Sequence, residues 1–187
     1  MEINYRFQGD TLSNFDEIVS ECKSIFLSKL STYGPSWRHF RPSSLTDQML
    51  IKAKRIRQLE ETGHSAVGEG IEPEFVAIAN YAVITIYQIR NALPDCTNNV
   101  NDSIPEIIDS FNQIIEEIRS LMIKKNQDYG EAWRDMLPTS LTDMIVVKLM
   151  RIRELLTSQS VTGKKEAESN LQDIFNYSIF SLIKKRK

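Results

Sequence analysis

The stretch Tyr33 to Leu59, YGPSWRHFRPSSLTDQMLIKAKRIRQL, occurs a second time as Tyr129 to Leu155, YGEAWRDMLPTSLTDMIVVKLMRIREL. The copies align without a gap at an offset of 96 positions, and 14 of the 27 columns are identical. That is far above chance, so one unit has been duplicated. Downstream, the same offset pairs Glu72 with Glu168, Ile78 with Ile174, Asn80 with Asn176 and Tyr81 with Tyr177. Upstream it pairs Phe15 with Phe111, Ile18 with Ile114 and Glu21 with Glu117. The joint is Pro94 to Ser103, PDCTNNVNDS, whose Pro, Asn and Asp content reads as a connector. Residues 1–93 and 104–187 are therefore two halves of one globular unit.

Each half reads as three helices. The first runs from about Ser13 to Thr32, with Phe15, Ile18, Val19, Cys22, Ile25 and Phe26 at helical spacing. Its copy covers about Ile104 to Asp128, with Ser103 placed to cap it and Pro105 in its first turn. The second helix is expected to start at Ser44 and Ser140, each opening S-L-T-D in the manner of a capping box. The third runs from Glu72-Pro73 to about Ala92, and from Lys165 to Lys185 in the copy. Strand signals are poor, so the predicted fold is all-α, a bundle of about six helices with an internal pseudo-twofold.

Composition narrows the function classes. The 187 residues are 41% hydrophobic and 26% charged, with a formal net charge of -2. This is enough chain for one real core. A nucleic-acid binder would normally carry a basic excess, so that partner is disfavoured. No apolar run is long enough to cross a membrane. The polar N-terminus, Met1 to Gly9, lacks a secretory apolar core, which points to the cytoplasm. Cys22 and Cys96 have no metal-type spacing, and the only histidines are His39 and His64. Any resident metal would have to be held by carboxylates.

Several polar positions are out of place for a simple bundle. Leu45, Met49, Lys52, Ile56 and Leu59 form one apolar stripe with a lysine in its middle, repeated as Leu141, Ile145, Lys148, Ile152 and Leu155. Such a lysine must snorkel or meet an anion. The anion is either a structural partner, Glu72 or Glu168, or a ligand phosphate or metal carboxylate. Arg55 and Arg151 lie on nearly the same face, whereas Arg57 and Arg153 point elsewhere, to the surface or an interface. The third helix is apolar almost all round, so Asn80-Tyr81 and Asn176-Tyr177 need internal hydrogen bonds. Asp173 and Asn176 share a side, joined by Ser169, while Ala77 and Pro73 stand at the matching positions of the first half. The carboxylate face thus reads as present in one copy and blank in the other.

Y-G-x-x-W-R occurs as Tyr33, Gly34, Trp37, Arg38 and as Tyr129, Gly130, Trp133, Arg134. The glycine stops a helix. The rings either plug the bundle or stack on a base while the arginine meets a phosphate. Gly63 to Gly70, GHSAVGEG, lacks the phosphate-loop pattern and is set aside. Glu69, Glu72 and Glu74 fit a helix macrodipole or, alternatively, oxygen ligation of Mg²⁺. The C-terminal Lys184 to Lys187 run reads as a solvated helix end.

These residues resemble the nucleotide modification associated domain 1 family in its Bacteroidetes-type duplicated form. The motifs that carry the resemblance are K-x-x-x-Y-G-x-x-W-R from Lys29 and from Lys125, P-[ST]-S-L-T-D, K-x-x-R-I-R, G-E-G-I-x-P-E-F at Gly68 to Phe75, and D-x-x-N-Y at Asp173 to Tyr177. The helical pattern is also similar to MazG-like all-α NTP pyrophosphohydrolases, although neither half pairs an E-x-x-E helix with an E-x-x-D helix. The resemblance implies a nucleotide-binding protein of modified-nucleotide metabolism, in its enzymatic form a Mg²⁺-dependent nucleotide pyrophosphohydrolase. Glu168 and Asp173 would then be catalytic, with Glu72, Glu74, Glu168 and Asp173 as metal ligands. Lys52, Arg55, Lys148 and Arg151 would meet phosphates. Tyr33, Trp37, Asn80, Tyr129, Trp133, Asn176 and Tyr177 would contact base or sugar, with Arg38 and Arg134 on a phosphate. The competing reading is a non-catalytic helical scaffold or regulatory module. A homodimer is compatible with either.

Overall fold

The computed structural model describes residues 10–65, 68–91, 102–157 and 160–186. Cys96, most of the connector and the N-terminal Met1 to Gly9 lie outside them. Six helices appear in order: α1 (Asp10–Tyr33), α2 (Pro42–Thr62), α3 (Glu72–Arg90), α4 (Ile104–Tyr129), α5 (Pro138–Thr157) and α6 (Val161–Lys185). No strand occurs among the described residues. None of their helices is long and apolar enough to cross a membrane.

The helix ends follow local chemistry. Ser103 caps α4: its hydroxyl accepts from the Glu106 N–H, and the Glu106 carboxylate accepts from the Ser103 N–H at 3.1 Å. α1 and α4 both stop at a glycine in the left-handed region, Gly34 and Gly130, as the motif predicts. Ser160 caps α6, which begins at Val161, a turn before the expected Lys165. The S-L-T-D starts need correcting. α2 and α5 begin two residues earlier, at Pro42 and Pro138, and the Ser44 and Ser140 N–H groups already donate inside the first turn. A proline with preset φ opens each helix in place of a hydroxyl cap.

That early start gives the S-L-T-D aspartates another task. Asp143 pairs with Arg57 at 3.4 Å, and Asp47 pairs with Arg153 at 3.3 Å. These reciprocal bridges join α2 and α5 across the pseudo-twofold, so Arg57 and Arg153 are interface groups between the halves. α3 and α6 form the centre and run antiparallel, since the start of each meets the end of the other: Glu72 with Lys185 at 3.3 Å, and Glu168 with Arg90 at 3.1 Å. Ile78, Ala82 and Ile86 of α3 and Leu171, Ile174 and Ile179 of α6 are fully covered. α1 and α4 cross the division as well. Phe26 stacks on Phe111 at 4.0 Å, Phe15 meets Phe175 edge-on, and Arg119 grips Asp16 with two bonds of 2.8 Å. The core therefore belongs to both halves.

Candidate functional site

Each half contains a cavity between its first helix, the Y-G-x-x-W-R turn and its third helix. The first, of about 300 Å³, is lined by Phe26, Lys29, Tyr33, Trp37, Asn80 and Tyr81 among others. The second, of about 390 Å³, is lined by Met122, Lys125, Tyr129, Trp133, Asn176 and Tyr177, with Asp173. Every residue lining the second is the equivalent, at the 96-residue offset, of one lining the first. One pocket has been kept twice.

The turn explains the lining. After the left-handed glycine, a short 3-10 turn (Ser36–His39 and Ala132–Arg134) swings the indole inward and leaves the tyrosine at the mouth. Trp37 and Trp133 are 9% and 6% exposed, whereas Tyr33 and Tyr129 are both 72% exposed. Trp133 stacks on Phe180 at 4.3 Å, and Trp37 meets Tyr87 edge-on. Both indole N–H groups are buried without a partner, and so are the side-chain carbonyl oxygens of Asn80 and Asn176. The Asn80 amide donates to the Cys22 carbonyl at 2.8 Å, which fixes its orientation and makes Oδ1 the unpaired acceptor. In both halves a tryptophan and an asparagine that line the cavity each hold one buried polar atom, a donor and an acceptor, without a protein partner. Each such group costs about 1–3 kcal/mol when nothing meets it.

The arginines of the motif do not face these cavities. Arg38 is buried and donates to Asp102 and to the Gln88 side-chain carbonyl, while Gln88 donates to the Arg38 carbonyl at 3.0 Å. Arg134 donates to Glu131 at 2.8 Å and to Thr11, and its guanidinium lies over the Trp133 ring. Both anchor the turn that carries the tryptophan. Neither arginine, expected to meet a phosphate, lines either cavity.

The stripe lysines are paired in both halves, but not with Glu72 or Glu168. Lys148 meets Asp173 at 2.7 Å, and Lys52 meets Glu74 at 3.0 Å. Glu74 aligns with Asn170 and Asp173 with Ala77, so the acid has moved by one helical turn between the copies. The first half is therefore not blank. Arg55 shares Glu74 and also reaches Glu69 at 3.7 Å; Arg151 turns outward to Glu154 and Glu166. Burial acts to raise the Glu74 carboxyl, but hydrogen bonds from Lys52 and Arg55 outweigh it and hold the group below its ordinary 4.5.

A depressed folded-state pKa gives stability that is present above the ordinary value and lost as pH falls through the lowered one. Glu74→Gln is accordingly expected to cost about 1–3 kcal/mol at neutral pH by stranding the half-buried Lys52 and leaving Arg55 only the exposed Glu69. The gap from wild type should close in acid. Urea midpoints for both proteins across that range check it, and a gap that does not change with pH would contradict the pairing.

The four carboxylates expected to hold Mg²⁺ do not form one centre. Glu72 and Glu168 close opposite ends of the α3–α6 pair, Glu74 lies between Lys52 and Arg55, and Asp173 lies between Lys125 and Lys148. Among the described residues no group of three or more Asp, Glu, His or Cys could hold a metal ion. The donor set does not fit a carboxylate-bound Mg²⁺.

Two site residues escaped the residue-by-residue reading, Lys29 and Lys125. Each lies four positions before the motif tyrosine, hence on the same helix face. Lys125 meets Asp173 at 2.5 Å, whereas Lys29 makes no ion pair among the described residues. Tyr177, beside Asp173, has its phenol pushed up by burial and then by the neighbouring negative charge, so it stays a protonated donor at neutral pH.

A family model described as nucleotide modification associated domain 1 matches the chain twice, at residues 29–89 and 125–184. Both matches begin at the pocket lysine. No curated protein and no solved structure matches the chain at a significant level.

Proposed function

Because this chain belongs to the nucleotide modification associated domain 1 family, we propose that it binds nucleotides or nucleosides, one in each half, with the base in the Tyr–Trp–Asn pocket. The observation that carries this reading is an indole donor and an amide acceptor left without a protein partner on two residues that line one cavity, repeated in both copies. A nucleobase edge presents an acceptor beside a donor, which is the complement of that pair. Its faces suit an aromatic lining, and stacking on a ring is worth about 1–3 kcal/mol per base. The exposed Tyr33 and Tyr129 stand where a ring can close over the mouth. Hydrolysis is disfavoured, since Glu72, Glu74, Glu168 and Asp173 are each held in an ion pair.

That same pairing favours the second reading, a scaffold without a ligand, and a thermal-shift panel separates the two. Nucleosides and nucleoside mono-, di- and triphosphates are scanned with and without Mg²⁺. A ligand at 100 times its Kd adds about 2.7 kcal/mol, a shift of a few degrees at this size. We expect a base-selective shift that is lost in the Asn80→Ala/Asn176→Ala double variant. No shift with any compound would leave the scaffold.

A further inference from the structure

The two pockets share their frame but differ in charge. No acidic residue lines the first, and its one ammonium, Lys29, is unpaired among the described residues. Ala77 occupies the position that in the second half is Asp173. There the carboxylate stands on the cavity wall and holds Lys125 at 2.5 Å and Lys148 at 2.7 Å. Lys52, the counterpart of Lys148, is satisfied by Glu74 away from the first pocket's lining. One substitution between the copies therefore decides whether the pocket lysine is available.

Resting on the nucleotide reading of these pockets, we infer that the halves divide their ligands by charge: the first takes a phosphate-bearing nucleotide through Lys29, and the second takes an uncharged nucleoside. A phosphate entering the second pocket would have to share Lys125 and Lys148 with Asp173 and would lie beside that carboxylate. Like charges at that range repel strongly in a water-poor cleft. An uncharged nucleoside meets no such barrier and offers sugar hydroxyls and base amino groups that Asp173 can accept. In the first pocket, a phosphate gains a charge-assisted bond from an ammonium that gives up no partner.

The chain's two tryptophans lie one in each pocket, so each can be made the sole reporter. Trp133→Phe leaves Trp37, and Trp37→Phe leaves Trp133. Each variant is titrated with the four 2′-deoxynucleosides and their 5′-monophosphates while indole emission is followed. Trp37 is expected to report monophosphate binding roughly tenfold or more tighter than the matching nucleoside, about the effect of one charge-assisted contact. That preference should vanish with Lys29→Met, and with Ala77→Asp, which supplies the missing carboxylate. Trp133 should report the opposite order, and Asp173→Ala should reverse it toward monophosphates. Calorimetry on the chain with both tryptophans intact, with and without Ala77→Asp, reads the same loss of a monophosphate site should a tryptophan variant fold poorly. If both pockets bind with one charge preference, the division is overturned and nucleotide binding stands. If neither emission nor heat responds to any compound, the nucleotide reading itself falls.

Discussion

Asp173→Ala is expected to destabilise the protein by about 2–4 kcal/mol, more than any other single carboxylate replacement among those considered for catalysis. Asp173 and Lys148 are each 18% exposed, and Lys125, at 39%, completes the bridge, so removing the acid strands the Lys148 ammonium in a poorly solvated position and takes a partner from Lys125. Glu168→Gln breaks a pair nearer to solvent, with Arg90 keeping Glu117 at 2.7 Å, and should cost below about 1 kcal/mol. The sign of the Asp173 effect separates two chemistries. A carboxylate taken from a cluster of metal-binding acids relieves repulsion and stabilises the metal-free protein, whereas one taken from between two lysines does the reverse. Adding Lys148→Met to Asp173→Ala should recover most of the loss, because the buried charge leaves with its partner. Chemical denaturation of the two single variants and the double closes the cycle. A stabilising Asp173→Ala would overturn the ion-pair assignment.

The duplication made the fold readable from sequence, since it showed twice which polar residues interrupt apolar stripes. The inward tryptophans and the glycine stops at Gly34 and Gly130 are legible for the same reason. What was not legible depends on register in three dimensions. Proline fixes the starts of α2 and α5 two residues before the hydroxyl that would otherwise cap them, so Asp47 and Asp143 serve the pseudo-twofold. An alignment offset also cannot show that Glu74 and Asp173 do equivalent work. They occupy different columns one helical turn apart, and the longer glutamate arm helps span the difference. Arg38 and Arg134 look like ligand residues until the 3-10 turn aims them at Gln88 and Glu131. Lys29 was accessible to a spacing argument, because its distance from Tyr33 places both on one helix face.

The shared core makes separation of the halves the most damaging change available. A chain ending within the connector would uncover much of α3, where Ile78, Ala82 and Ile86 are fully buried, and would take from Phe26 its stacking partner Phe111. Fully exposing one large apolar side chain costs about 1.5–3 kcal/mol, so losing the cover of a few such side chains on α1 and α3 forfeits on the order of 5–10 kcal/mol. Whole domains are stable by only about 5–15 kcal/mol. Neither half is therefore expected to fold as a monomer. The bridges across the pseudo-twofold are nonetheless self-complementary: Arg57 with Asp47 of a second first half reproduces Arg57 with Asp143, and Arg90 with Glu72 reproduces Arg90 with Glu168. Isolated halves should thus gain helix only by association, with a circular-dichroism signal that rises with concentration, and equimolar mixing should restore the native signal with a 1:1 mass. A half that is fully helical and monomeric at micromolar concentration would show that each repeat carries its own core, and that the division between the pockets arose in two domains able to fold apart.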